Sequence, residues 1–254
     1  MMSRCGKTAQ SVEPQGNVVN LVDSPEKPRA SIKYLDDDEA AQFLERLNRE
    51  PDIRKKTAFI LSLFTGLRRG ELSALEWGDI NFKKGRISIT KAAQYIPHEG
   101  VIDVTTKNRS SDRIIDISPY VVSILSEYKE WWEDLREKNG ERWRGDKGRL
   151  FICDNGKPIS PSTINRWLKK VLEDTDLPEI TPHSLRHSFI SLQIASGVDI
   201  HTLQSRTGHA ETSTLLGTYG HALRKAGERA AMAMETLLVP NENSSPTHKE
   251  QNVL

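Results

Sequence analysis

Cysteine is nearly missing from this chain: its two thiols, Cys5 and Cys153, lie far apart in 254 residues. That points to reduced thiols in a cytosolic protein and away from a disulfide framework. Long apolar runs are missing too. Nothing approaches the roughly 20 residues that cross a bilayer, and no apolar segment follows Arg4 and Lys7, so neither a membrane span nor a secretory leader is read. Nor is there an excess of one charge: Lys+Arg number 36 against Asp+Glu 35, a formal net charge of +1. A uniformly basic coat for a polyanion is excluded, and any such surface must arise by segregation, with acid set aside at Asp36 to Glu39 and Glu127 to Glu137. No internal repeat is visible. What remains is 36% hydrophobic residues and a mean hydropathy of −0.56, enough for a sizeable core in one large domain or two small ones.

Residues 1–30 are rich in Ser, Pro, Gly, Gln and Asn and read as a linker or N-terminal extension. At Asp36-Asp37-Asp38-Glu39 the pattern turns helical, with a cap, Glu at the third helical position, and a stripe of Ala40, Phe43, Leu44 and Leu47. A second helix after Pro51 is apolar nearly all round from Ala58 to Phe64 and stops at Thr65-Gly66. From Asn81 to Ile117 the period falls to two, through Ile87, Ile89, Val101 to Val104 and Ile114 to Ile117, which predicts one small antiparallel sheet. Ser118-Pro119, Ser160-Pro161 and Thr181-Pro182 each open a further helix. Two short helices are expected around Leu203 and Leu215, then an alanine-rich one carrying Ala226, Ala230, Ala233, Met234 and Leu237, and a flexible tail over 241–254. Trp77, Trp132 and Trp167 fall on helical stripes and read as core. The fold class is therefore α+β, mainly α-helical, with a small antiparallel sheet.

Chemistry concentrates between Thr181 and His221. His183 and Arg186 are three apart, so on a helix they rise from one face and can converge on a small anion. A guanidinium is a permanently charged fork suited to two phosphate oxygens. His209 follows, and Tyr219, flanked by Gly217 and Gly220, is a candidate covalent nucleophile. Upstream, Leu67-Arg68-Arg69-Gly70-Glu71-Leu72 sets charge directly against the second helix. Each of these residues has an ordinary reading as well. Arg68 could cap a helix and Tyr219 could be a half-buried aromatic, just as Lys107, in the polar stretch Thr106 to Arg113 of the β-region, could be an exposed hairpin lysine. His183 and His187 have the spacing of a helical metal pair, but Ser184 stands where a zincin places its Glu, so no metal is read and His187 is assigned to local packing or hydrogen bonding.

The joint pattern resembles the tyrosine recombinase, or phage integrase, family. Thr65-Gly66-Leu67-Arg68-Arg69-Gly70-Glu71-Leu72 with Leu75-Glu76-Trp77-Gly78-Asp79-Ile80 looks like its first arginine box. His183-Ser184-Leu185-Arg186-His187, Thr207-Gly208-His209 and Thr218-Tyr219-Gly220-His221 look like its second, and Thr106 to Arg113 is similar to the hairpin carrying its catalytic lysine. The resemblance implies a catalytic domain over 31–240 that cuts and rejoins DNA in site-specific recombination, integration or excision for a mobile element. Tyr219 would attack the phosphodiester to give a 3′-phosphotyrosyl link. Arg68 and Arg186 would clamp the non-bridging oxygens, Lys107 would protonate the leaving 5′-oxygen, His183 would serve as acid or base, and His209 would position the phosphate. No nucleotide or other cofactor is implied. The expected partners are double-stranded DNA and further copies of the chain in a tetrameric synapse on that DNA, in the cytoplasm and away from membranes. Only about thirty residues stand where the family usually has a DNA-gripping N-terminal domain, so the sequence reads as the catalytic half. Two alternatives stay open: a type IB-like topoisomerase using the same chemistry, and a non-catalytic regulator in which the helix-Gly-helix of Ile190 to Arg206 reads the major groove.

Overall fold

Asp36 starts the first helix by the predicted device: its carboxylate accepts the N–H of Glu39 and Glu39 accepts that of Asp36, each at 2.9 Å. In this computed structural model, residues 33–105, 112–145, 148–208 and 212–238 are described. The proposed extension over 1–30, the tail over 241–254, Lys107 and His209 lie outside them. Helix α1 (Asp37–Asn48) buries Ala40, Phe43 and Leu47. Helix α2 (Ile53–Thr65) buries residues on every side from Thr57 to Leu63, because α1 and three helices introduced below surround it. It ends at Gly66, in the left-handed conformation at φ 62, whose N–H reaches the Ser62 carbonyl. A short helix α3 (Arg69–Ala74) follows at once.

The β-region differs from the single sheet expected. Strands β1 (Ile80–Asn81) and β2 (Arg86–Ile89) form one antiparallel sheet with β5 (Arg113–Asp116), in which Ile87 sits opposite Ile115. Between them, β3 (Lys91–Ile96) and β4 (Gly100–Thr105) pair with each other, and β3 lies against α3. The buried guanidinium of Arg149 holds this hairpin in place, bonding Asp103 on β4 and the Ala74 carbonyl at the end of α3. Strand β3 escaped prediction because Lys91-Ala-Ala-Gln94 carries no β-branched alternation.

Ser118, Ser160 and Thr181 cap α4 (Pro119–Asn139), α5 (Pro161–Leu172) and α6 (Pro182–Ala195) through their side-chain oxygens, as their sequences predict. These are the three helices that complete the cage around α2. Trp132 is buried, while Trp77 and Trp167 are partly buried against the same core. Helix α7 (Ile200–Thr207) ends at a left-handed Gly208. Helix α8 (Thr212–Leu238) replaces the two separate helices expected there. Only Tyr219, at φ −112 and ψ 20, leaves helical geometry, so the two segments remain joined across a kink at that residue. Tyr219 and Ala222 pack with Phe189, Ile190, Ile194 and Leu203 into a second, smaller core. Burying a large apolar side chain contributes about 1.5–3 kcal/mol, so this cluster fastens α8 to α6, while α7 packs against α8, β5 and α6 together. No helix among the described residues is long and apolar enough to cross a membrane.

Candidate active site

The last carbonyls of α7 are taken by arginines from three different elements. Arg113 on β5 donates Nε to the Arg206 carbonyl at 2.8 Å, Arg186 on α6 donates Nη2 to Thr207 at 2.6 Å, and Arg68, just before α3, donates Nη2 to Gly208 at 2.8 Å. A helix C-terminus leaves carbonyls unpaired at the negative end of its dipole, so cations gather there. The other arm of Arg186 reaches the Gly66 carbonyl at 2.7 Å, which ties α6 to the end of α2. Under these arginines lies Glu71, 2% exposed. It accepts the backbone N–H of Arg68 at 2.9 Å, Nη1 of Arg68 at 2.8 Å, and both end nitrogens of Arg113 at 3.1 and 2.7 Å. Burial alone would raise its carboxyl; the hydrogen bonds and charge of Arg113, then those of Arg68, outweigh this and hold it below the usual carboxylate range.

Glu71 is thus shared by two guanidiniums, those of Arg68 and Arg113, with the charge of Arg186 close by, and the surplus positive charge faces a cavity of about 430 Å³ lined by Arg68, Arg69, Gly70, Asn165, Thr181, Pro182, His183 and Arg186. The N-terminus of α6 opens into it, adding backbone dipole of the same sign. Arg186 is 2% exposed; burial, followed by repulsion from Arg68, brings its pKa down to about 9, so it stays charged near neutral pH. His183 is lowered as well, by burial and then by Arg186 and Arg68. The site is built to receive an anion.

Tyr219 does not line this cavity. It is 5% exposed, and its hydroxyl is hydrogen-bonded to Nδ1 of His187, with the ring centroids 5.6 Å apart. His187 in turn meets His183 edge-on at 4.4 Å. Burial, then the charges of His183 and Arg186, push His187 down to about 4, so near neutral pH its ring is uncharged and its nitrogen can accept a proton. Burial raises the Tyr219 hydroxyl, against the pull of Arg186.

Of the residues singled out in the sequence, Arg68, His183 and Arg186 come together at one cavity, and Tyr219 is connected to them through His187. Lys107 and His209 lie outside the described residues, although Gly208, next to His209, is gripped by Arg68. Sequence reasoning passed over Glu71 and Arg113 and left His187 to local bonding. The signals were present: Glu71 is three residues after Arg68, on the same helical face. Arg113 closes the quoted hairpin motif, and His187 is one turn beyond His183.

The fold is that of tyrosine recombinase catalytic domains. The crystal structure of XerA recombinase superposes with a TM-score of 0.59 at 27% identity, over 84% of this chain and 68% of that one. The Tn1549 transposon integrase in complex with transposon right end DNA gives 0.64 at 22% identity, over 88% and 70%. The model of the phage integrase family matches residues 33–225, and the chain belongs to that family. Among curated relatives, the ICEBs1 integrase of Bacillus subtilis is 29% identical over 83% of this chain and 56% of its own length. A tyrosine recombinase of Thermosipho africanus is 30% identical over 78% and 60%. The chain therefore spans less than two thirds of the length of these relatives.

Proposed function

We propose that this chain, through residues 31–240, is the catalytic part of a site-specific DNA recombinase that cuts and rejoins double-stranded DNA by way of a 3′-phosphotyrosyl link. The observation that carries the reading is the convergence of Arg68, Arg186 and His183 on one anion cavity, with the Tyr219 hydroxyl one histidine away. Relatives named integrase and tyrosine recombinase support it.

In the cutting step the Tyr219 hydroxyl oxygen bonds to phosphorus and the bond from phosphorus to the 5′-oxygen breaks. The tyrosine proton passes to a histidine ring nitrogen, and the departing 5′-oxygen takes a proton from Lys107. Arg68 and Arg186 hold the non-bridging oxygens as charge builds on them. Rejoining runs the same bonds backward with a 5′-hydroxyl as the attacking group, so the phosphodiester energy is conserved and no cofactor takes part. For this geometry Tyr219 must swing from His187 toward the cavity, and its non-helical backbone is where α8 bends to allow that.

Self-association on DNA is part of the proposal. The end of α8 exposes Met232, Met234, Leu237 and Leu238, and Arg229 ties that half back to Asp37 and to the Ala195 carbonyl. An exposed apolar face of this kind suits a neighbouring protomer in a tetrameric synapse. The setting is the cytoplasm.

A pool of nicked duplexes of randomised sequence, incubated with the full chain, tests the reading. Duplexes recovered covalently attached to protein support it. Strand exchange between two such duplexes marks a recombinase, whereas supercoil relaxation with no exchange marks a topoisomerase-like enzyme. DNA binding without any covalent product would leave only a regulator.

A further inference from the structure

Arg113 stands outside the cavity yet touches the groups that shape it. Its side chain is 5% exposed, so it is not placed to meet DNA. It grips Glu71 at two points, 3.1 and 2.7 Å, and its Nε holds the Arg206 carbonyl at 2.8 Å. Glu71 passes this on, since it binds both the backbone N–H and Nη1 of Arg68. We propose that Arg113 is a positioning residue for the phosphate clamp: through Glu71 it sets the side chain of Arg68, and through the 206–208 turn it sets the carbonyls against which Arg68 and Arg186 are held. The proposal rests on the reading of the cavity as a phosphodiester site.

The physical need is clear. A carboxylate buried as deeply as Glu71 keeps its charge only while its partners stay in place. The Arg68 side chain is 41% exposed, so by itself it is a mobile partner that would also be drawn toward the phosphate. Arg113 supplies the fixed half of the pair. Gly208 shows how closely the assembly is fitted: its φ is +64, and a Cβ there would lie 3.2 Å from Nη1 of Arg113 and 3.5 Å from Nη1 of Arg68. The charged groups acting on Glu71 are Arg68 at the start of α3, Arg113 on β5 and Arg186 on α6, while α7 presents its carbonyls to the arginines. With Arg113 removed, burial pushes the Glu71 carboxyl up, it takes a proton as pH falls, and Arg68 loses its anchor.

Two readouts test this on the full chain. The first is the affinity for sulfate, which keeps its charge across the assay range; the second is the rate of covalent attachment to a nicked duplex recovered as above. Arg113→Met should lower both by roughly five- to a hundredfold, the loss expected when a buried acceptor is left without its partner, leave DNA affinity in place, and add a loss that deepens toward acid pH. Placing Glu71→Gln in the same chain should remove the pH-dependent part, because an amide does not titrate. Arg113→Lys keeps the charge without the fork and should show the same changes at smaller size. If Arg113→Met does not fold, Arg113→Lys carries the test. Unchanged sulfate affinity and rate in a folded variant, or a loss uniform in pH and indifferent to Glu71→Gln, would overturn the proposal. A sulfate site that behaves as expected in a chain forming no covalent product defeats the recombinase reading instead, so the two failures are distinguishable.

Discussion

The Tyr219 hydroxyl is hydrogen-bonded to Nδ1 of His187, and the burial of that imidazole beside His183 and Arg186 makes the fold sensitive to acid. His187 has an ordinary value of 6.5, lowered to about 4 in the folded chain. The unfolded chain therefore binds the proton first, and unfolding is favoured as pH falls from about 6.5 toward 4. His183 is shifted in the same direction. Thermal melts should show full stability above that window and a declining Tm within it. His187→Gln keeps a hydrogen-bonding partner for the tyrosine and does not titrate, so its decline should be shallower. An identical slope in the variant would show that His187 is not the group responsible.

Gly66 is the next test. It is left-handed at φ +62, a Cβ there would run into the Phe189 ring, and its carbonyl receives Arg186. Gly66→Ala should cost at least about 1–3 kcal/mol, measured by denaturant unfolding. It should also slow covalent attachment more than the stability loss explains, because the Arg186 acceptor moves. A folded variant of normal rate would separate Gly66 from the site.

Arg68 and Arg186 differ in a way that mutation should expose. Both carry a fork that Lys lacks, but only Arg186 is buried with both arms on backbone carbonyls. Arg186→Lys leaves one of these carbonyls unpaired and should cost roughly 1–3 kcal/mol of stability. Arg68→Lys, half exposed, should unfold near the parent. Both should slow cleavage by roughly 10²–10³-fold, with much smaller losses in DNA affinity. Equal losses in rate and affinity would reduce the pair to electrostatic docking.

Much of this architecture is legible in the sequence because it is local. The Asp36 to Glu39 box, the Gly66 stop, and the Ser118, Ser160 and Thr181 caps depend on neighbours within a few residues, and each is found where expected. His183 and Arg186 share a face for the same reason. What could not be read depends on long-range geometry. The divided sheet comes with a buried Arg149 that reaches Asp103 and the Ala74 carbonyl, residues 46 and 75 away in sequence. The placing of Glu71 under Arg113 joins residues 42 apart in sequence, and the meeting of three arginines on the end of α7 involves partners up to 140 apart. Tyr219 reads from sequence as a nucleophile beside the phosphate; that its hydroxyl rests on His187, in a small core of its own, required coordinates.

The end of α8 offers a prediction about assembly. The described residues beyond Gly227 are largely exposed, and one tie to the rest of the chain, Arg229 with Asp37 and the Ala195 carbonyl, is an exposed pair worth about 0–1 kcal/mol. Truncation after Gly227 should leave a folded monomer with nearly unchanged Tm and impair the joining of two DNA-bound complexes, as seen by native gel or light scattering. A truncated chain that unfolds would place the helix in its own core.

The most direct measurement is to digest the covalent product formed on a nicked duplex and locate the nucleotide on the protein. A 3′-phosphate ester on Tyr219 alone is expected, and no product from Tyr219→Phe, whose DNA binding persists. A product of full yield from Tyr219→Phe, or a nucleotide on any other side chain, would contradict this assignment.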